Sequence, residues 1–106
     1  MPFYSSDDLA RKEPMPGFAG RFAAGASMTS VTWSIAAGAE LPEHAHEHEQ
    51  VSHVLEGEFE MTIDDKTQLL GPGTVAFVPS NATHSGRAIT SCRIIDVFHP
   101  VRDDYR

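Results

Sequence analysis

The most informative stretch of the sequence is residues 38–57, which read GAELPEHAHEHEQVSHVLEG. His44 and His46 are two residues apart, and side chains two apart on a β-strand point to the same face of the sheet. Gln50 follows four residues later and keeps the same parity. Because imidazole nitrogens and amide oxygens are both ligands for divalent ions, the pattern predicts that these three side chains converge on one metal ion.

A second block supplies a fourth candidate ligand. Residues 73–84 read GTVAFVPSNATH, in which a short apolar strand and a proline turn precede His84. If the strand that begins there lies beside the strand of His44 and His46, the His84 imidazole completes the site. An isolated pair of histidines is as often a solvated surface feature, but the glycines and prolines that frame both blocks favour a metal site.

Two other histidines lie in the same acidic segment. His48 shares the parity of His46 and Gln50, so it is an alternative ligand or a hydrogen-bond donor to the ligands. His53 falls on the opposite parity and is expected to pack against the protein or to face a partner. Residues 40–65 contain no lysine or arginine, which a solvated acidic surface would also show.

The remainder of the chain predicts an all-β fold with frequent glycine and proline turns. Residues 28–35 and 58–63 alternate apolar and polar side chains, as a strand with one buried face does. Further strands are predicted over residues 51–55, 67–70, 75–78, 84–89 and 92–98. Residues 1–16 lack this periodicity and are expected to form an N-terminal arm, and residues 17–106 a barrel or sandwich domain.

The composition limits the partners and the compartment of the protein. Fifteen acidic residues oppose eight basic ones, for a formal net charge of −7, which argues against binding to nucleic acids or to anionic membranes. No apolar stretch is long enough to span a bilayer, and no secretory signal is visible. Cys92 is the only cysteine, so we expect a reducing compartment and predict a cytoplasmic protein.

Together the two blocks resemble the paired motifs of the cupin family, small jelly-roll barrels that hold a metal ion inside. The resemblance extends over residues 28–99 and implies a cupin barrel, one divalent ion per chain and a homodimer. Zinc, nickel, iron(II), cobalt and manganese all suit histidine and glutamine ligands. Because ligating histidines must be neutral, the metal affinity is expected to fall below about pH 6.5.

The sequence departs from the usual cupin motifs at three positions. Gln50 stands where the family usually has glutamate, which makes the site one unit more positive and better suited to an anionic substrate. Asn81 replaces a glycine, and asparagine tolerates a left-handed turn better than most residues. Ala88 stands where the second motif usually ends in asparagine.

A second informative stretch is residues 93–106, which read RIIDVFHPVRDDYR. Asp96 shares one face of the predicted strand with Ile94 and Phe98, and an aspartate in apolar company is costly unless it is paired or functional. The set expected to pack on the opposite sheet is Ile95 and Val97. Asp96 either forms a salt bridge or faces the interior beside the metal, where desolvation would suit it to proton transfer. The candidate salt-bridge partners are Arg21, Arg87 and Arg93.

The C-terminal segment also contains an arginine of interest. Arg102 follows the strand by a few residues, and its guanidinium either grips a carboxylate at the barrel mouth or is exposed in the tail. With this residue the chain resembles the pectin-degradation cupins, which convert 4,5-unsaturated monouronates from pectin and alginate to the linear ketonised form. The resemblance implies a small anionic sugar substrate. It also implies metal binding by His44, His46, Gln50 and His84, and catalysis by Asp96, Phe98 and Arg102.

Two other classes of function stay open at this point. One is a metal-dependent dioxygenase or sugar isomerase of the cupin family; a dioxygenase would contain iron and consume oxygen. The other is a non-catalytic cupin that binds or senses a carbohydrate.

Overall fold

The computed structural model describes residues 2–106, which contain ten β-strands and two short 3-10 helices. The strands are β1 (Ala10–Met15), β2 (Phe18–Ala24), β3 (Thr29–Ile35), β4 (Glu40–His44), β5 (Glu49–Glu56), β6 (Phe59–Ile63), β7 (Lys66–Leu70), β8 (Val75–Val78), β9 (His84–Ala88) and β10 (Cys92–His99). The 3-10 helices are Ser6–Asp8 and Asp103–Tyr105. Neither has the length or the apolar character needed to cross a membrane.

The strands pair antiparallel and form two sheets. The larger sheet has the order β1-β2-β3-β10-β5-β8, and the smaller has the order β4-β9-β6-β7. The chain passes from one sheet to the other between β3 and β4, β4 and β5, β5 and β6, β7 and β8, β8 and β9, and β9 and β10. This jelly-roll arrangement confirms the predicted all-β fold class.

The core lies between the inner faces of the two sheets. Alternate residues of β2 and β3 point inward, so that Phe18 and Phe22 contact the Trp33 ring edge to face, with centroids 5.8 and 5.5 Å from it. Phe59 and Met61 of β6 are buried in the same cluster. Burial of this apolar surface is the main stabilising contribution to such a fold.

Residues 10–15, which the sequence placed in an N-terminal arm, form the edge strand β1 instead. The strand pairs with β2, and Arg11 is the register partner of Arg21. Because β1 lies at the edge of the large sheet with its side chains largely exposed, no apolar alternation marks it in the sequence.

The sequence favoured Ile95 and Val97 as the inner face of strand β10, but the structure turns the other face toward the interior. Ile94 is buried, whereas Ile95 and Val97 are half-buried on the outer face of the large sheet. Both sets are apolar, so alternation alone does not say which face is internal. Pairing decides it, because Ile94 is the register partner of the buried Trp33. Asp96 therefore lies on the inner face.

The turn between β8 and β9 holds one end of the barrel together. Asn81 has a φ of 66°, which confirms the expected left-handed conformation. Its backbone N–H donates to the carbonyl oxygen of His46 at 2.8 Å, and the Ser80 hydroxyl donates to the carbonyl oxygen of Glu47 at 2.6 Å. The turn thereby fixes the loop that follows β4.

Gly57, in the turn between β5 and β6, occupies a position that favours glycine. Its φ is +82°, and an added Cβ would collide with the carbonyl oxygen of Ser91. Gly38 has a similar φ of +83°, but a Cβ added there would meet no other atom within 4 Å. We expect Gly57→Ala to lower the free energy of unfolding by more than about 3 kcal/mol, and Gly38→Ala by about 1–2 kcal/mol, the cost of the left-handed backbone alone.

Urea denaturation followed by circular dichroism measures both variants. Equal destabilisation of the two would show that the close approach of Gly57 to Ser91 does not contribute to stability.

Candidate metal centre

Three histidines converge at one end of the barrel. His44 is the last residue of β4 and the register partner of His84, the first residue of β9, and their ring centroids are 4.1 Å apart. The His46 ring lies 5.5 Å from that of His44 and 4.8 Å from that of His84. His46 lies beyond β4, in the loop of residues 45–48, and not on the strand with His44 as the sequence predicted.

Backbone carbonyl groups fix the tautomer of all three rings. Each Nδ1 lies within hydrogen-bond distance of a backbone carbonyl oxygen. The distance is 2.8 Å from His44 Nδ1 to the Pro42 oxygen, 3.0 Å from His46 Nδ1 to the His48 oxygen and 2.9 Å from His84 Nδ1 to the Ala82 oxygen. A carbonyl oxygen only accepts hydrogen bonds, so each Nδ1 must carry the proton and donate it. In the neutral ring, Nε2 then holds the free lone pair.

The free lone pairs of the three Nε2 atoms fit a divalent metal ion. The ligand atoms of the three histidines lie within 4.8 Å of one another. The Nε2 atoms of His46 and His84 are buried and have no hydrogen-bond partner among the described residues. A buried, unpaired imidazole nitrogen costs free energy, and metal–nitrogen bonds of about 2.1 Å would satisfy it. Neutral imidazoles are ligands for several divalent transition-metal ions, zinc, nickel and iron among them, so the three rings do not identify the metal.

The surroundings of His46 and His84 favour the neutral form of these two imidazoles. Burial lowers the pKa of His84 to about 4. Burial, and then the positive charge of Arg102, lower the pKa of His46 below its usual value. Protons therefore compete with a metal ion for the Nε2 atoms of His46 and His84 at a lower pH than the value of about 6.5 expected from the sequence.

Gln50 lies on β5 beside the three histidines. Its side chain is buried and lines the same cavity as His44 and His84. Its Nε2 donates to the Ser52 hydroxyl at 3.0 Å, so Oε1 is the end of the amide that remains for a metal ion. Its position is compatible with the predicted ligand role, which stays a prediction.

Asp96 lies in the same cavity and has neutral hydrogen-bond partners. Its Oδ1 accepts from the Ser52 hydroxyl at 2.5 Å, and its Oδ2 accepts from the Trp33 indole N–H at 2.9 Å. Desolvation raises the pKa of Asp96 above its usual value, although the donor groups of Ser52, Trp33 and Gln50 and the positive charge of Arg102 oppose the shift. The predicted salt bridge to an arginine is wrong, because Arg87 pairs with Glu60 and Arg21 lies near Asp7. Arg93 points outward on β10.

The C-terminal segment folds back over the cavity and places Arg102 there. The guanidinium contacts two aromatic rings in cation–π geometry, 4.9 Å from the Phe98 centroid and 4.1 Å from the Tyr105 centroid. It also forms a bidentate ion pair with Asp104, with Nη2 and Nε donating at 2.7 and 3.2 Å. Only 12% of the side chain is exposed, so Arg102 belongs to the cavity and not to a solvated tail.

Other predicted residues fall outside the group of three histidines. His48 contributes its backbone oxygen to His46, and its own ring, 5.4 Å from the His46 ring, is outside the group. His53 is exposed on the outer face of the large sheet. Sequence reasoning missed Ser52 and Trp33. Only the shared parity of Ser52 with Gln50 could have indicated the former.

Comparison with known proteins places this geometry in a family. Residues 31–98 match the cupin domain. This chain belongs to the cupin family. No curated protein matches the chain.

Two solved cupins cover almost all of this chain. An RmlC-like cupin from Shewanella frigidimarina is 30% identical, with a TM-score of 0.94, and the match covers 100% of this cupin and 96% of the other chain. KdgF from a Halomonas species is 28% identical with a TM-score of 0.89, over 96% of this chain and 97% of its own.

A more distant enzyme shares the fold. Oxalate decarboxylase of Bacillus subtilis is 21% identical with a TM-score of 0.82, and the match covers 92% of this cupin but only 29% of that chain. This likeness concerns the barrel alone.

Removing one imidazole tests the metal centre. We expect His44→Ala to lower the Co²⁺ affinity by more than about 100-fold, because losing a ligand costs more than losing one of its supporting hydrogen bonds. His53→Ala, the same change on the outer face, is the matched control and should bind like the wild type. Titration followed by the visible absorption of Co²⁺ measures both affinities. Equal affinities in the two variants would contradict the assignment.

The titration of His84 tests the effect of burial. In the metal-free protein its ring NMR signals should stay constant from pH 7 to about pH 5 and shift near its pKa of about 4. Because the unfolded chain binds this proton near pH 6.5, the free energy of unfolding should also fall as the pH is lowered between these values. A His84 transition near pH 6.5 would contradict the buried, neutral ring.

Proposed function

We propose that this cupin is a metal-dependent enzyme that promotes ring opening and ketonisation of 4,5-unsaturated monouronates. The observation that carries the proposal is the placement of Asp96 and Arg102 in the cavity lined by His44 and His84, two of the three clustered histidines. The similarity to KdgF over nearly the full length of both chains supports it.

The chemistry of the substrate sets what the site must do. A 4,5-unsaturated uronate is a cyclic enol ether, and its opening is an isomerisation without a change in oxidation state. The anomeric hydroxyl loses a proton and becomes a carbonyl group as the bond from the anomeric carbon to the ring oxygen breaks, and the resulting enolate gains a proton at carbon to give the ketone. The enzyme therefore needs a proton carrier, a site for the carboxylate and stabilisation of negative charge on oxygen.

Asp96 is the proposed proton carrier. Each of its oxygens accepts one hydrogen bond, from Ser52 or from Trp33, so each keeps a second lone pair for a proton. Desolvation raises the pKa of Asp96 toward neutral pH. A carboxyl group with a raised pKa is better suited both to take up and to deliver a proton. The two donors hold the carboxylate in a fixed orientation on the inner face.

Arg102 and Phe98 are proposed to bind the sugar. The ion pair with Asp104 uses Nε and Nη2 of Arg102 and leaves Nη1 for a substrate carboxylate. The Phe98 ring, buried between the His46 ring at 5.8 Å and the Arg102 guanidinium, provides an apolar surface for a sugar ring and excludes water. A divalent ion held by the histidines and Gln50 would supply Lewis-acid stabilisation of a substrate oxygen.

The direct test follows the ultraviolet absorbance of the conjugated enol in 4,5-unsaturated galacturonate. Protein loaded with metal should accelerate its loss over buffer and over the metal-free protein. Acceleration that needs oxygen, with oxygen consumed, would indicate a dioxygenase. Binding of the uronate without acceleration would indicate a sensing or binding protein. Either result would overturn the proposal.

A substitution tests the role of Asp96. Asp96→Asn should lower the ketonisation rate by at least about 100-fold while Co²⁺ affinity is retained, because an amide cannot carry the proton. The control is Asp65→Asn in the exposed turn after β6, which should match the wild type. Wild-type turnover by Asp96→Asn would eliminate the proton-transfer role.

A further inference from the structure

Ser52 connects the candidate metal ligand Gln50 to Asp96. It lies two residues after Gln50 on the inner face of β5, and it is the register partner of Asp96 on β10. Its hydroxyl donates to Asp96 at 2.5 Å and accepts from the Gln50 Nε2 at 3.0 Å. Both Ser52 and Gln50 are buried, with 4% of each residue exposed. The contacts form one continuous chain from Trp33 to Gln50.

The chemistry of the donors gives this chain a direction. The Trp33 indole nitrogen can only donate, so Asp96 Oδ2 is an acceptor. Ser52 has one hydroxyl proton, and it is donated to Asp96 Oδ1. Its lone pairs can then only accept, so the NH₂ end of the Gln50 amide must face Ser52. The carbonyl end is thereby directed away from Ser52.

We propose that Ser52 is a positioning residue, which sets the orientation of the Gln50 amide so that Oε1 is available to the divalent ion. An amide that lacked this acceptor could rotate by 180° and present NH₂, which is not a metal ligand. The inference rests on the proposed metal site, to which it adds the residue that selects amide oxygen as the ligand atom. The same hydroxyl orients Asp96, so one side chain aligns a metal ligand and the proton carrier.

Three substitutions of Ser52 separate hydrogen bonding from packing. Ser52→Cys nearly preserves the volume but offers a weak donor and acceptor, Ser52→Ala removes the group, and Ser52→Thr keeps the hydroxyl. We expect the cysteine and alanine variants to lose Co²⁺ affinity by about 10- to 100-fold, as when the supporting partner of a metal ligand is removed. Their Co²⁺ absorption spectra should change, and threonine should restore the affinity and the spectrum. Ser30→Ala, on the outer face of β3, is the matched control.

A double-mutant cycle tests whether Ser52 affects Co²⁺ binding through the Gln50 amide. If Ser52 acts through the amide, Ser52→Ala should cause no further loss of Co²⁺ affinity in a protein that already contains Gln50→Ala. Additive losses would overturn the proposal, as would wild-type affinity and spectrum in both Ser52→Cys and Ser52→Ala.

The only tryptophan of the chain supplies a second readout. Trp33 donates to the same carboxylate as Ser52, so its single indole N–H resonance should shift in metal-free Ser52→Ala, because Asp96 has then lost one of two donors. An unchanged resonance would contradict the contact on which the proposal rests. None of these measurements uses the uronate, so failure of the ketonisation assay and failure of the Ser52 proposal are distinguishable.

Discussion

The site depends on three hydrogen bonds from imidazole Nδ1 atoms to backbone carbonyl oxygens. They hold the rings of His44, His46 and His84 in one orientation and leave each Nε2 as a lone-pair donor. The carbonyl groups belong to β4, to the loop after it and to the approach to β9. Pairing of β4 with β9 and the Asn81 turn fix that backbone. The fold therefore sets the protonation pattern of the ligands before any metal binds.

The charge of the cavity differs from that of the whole protein. The chain has a net charge of −7, yet the cavity is lined by the Arg102 guanidinium, the imidazoles of His44 and His84 and a single carboxylate, Asp96, on its inner wall. Asp104 partly balances the arginine from the C-terminal segment. With Gln50 in place of the usual glutamate, a bound divalent ion would keep its full charge, which is favourable for an anionic sugar.

The sequence predicted an all-β fold and the pairing of His44 with His46 from local spacing, whereas the jelly-roll barrel and the addition of His84 came from the resemblance to the paired cupin motifs. Glycines, prolines and alternating strands mark the barrel, and the two histidine blocks occupy adjacent strand ends. It did not predict the inner face of β10, since both faces are apolar and only pairing with β3 distinguishes them. Ser52 was missed because its partner Asp96 is 44 residues away in the chain, and a serine on a strand has no distinctive pattern. Strand β1 was missed because an exposed edge strand lacks alternation.

We propose that the histidine centre and Asp96 act together on an unsaturated uronate. The rate at which the enol absorbance is lost while Co²⁺ is added stepwise to metal-free protein tests this most directly. We predict that the rate rises linearly and reaches a plateau at one ion per chain. A rate that is independent of the added metal, or that never exceeds the rate in buffer containing the same metal, would contradict the account.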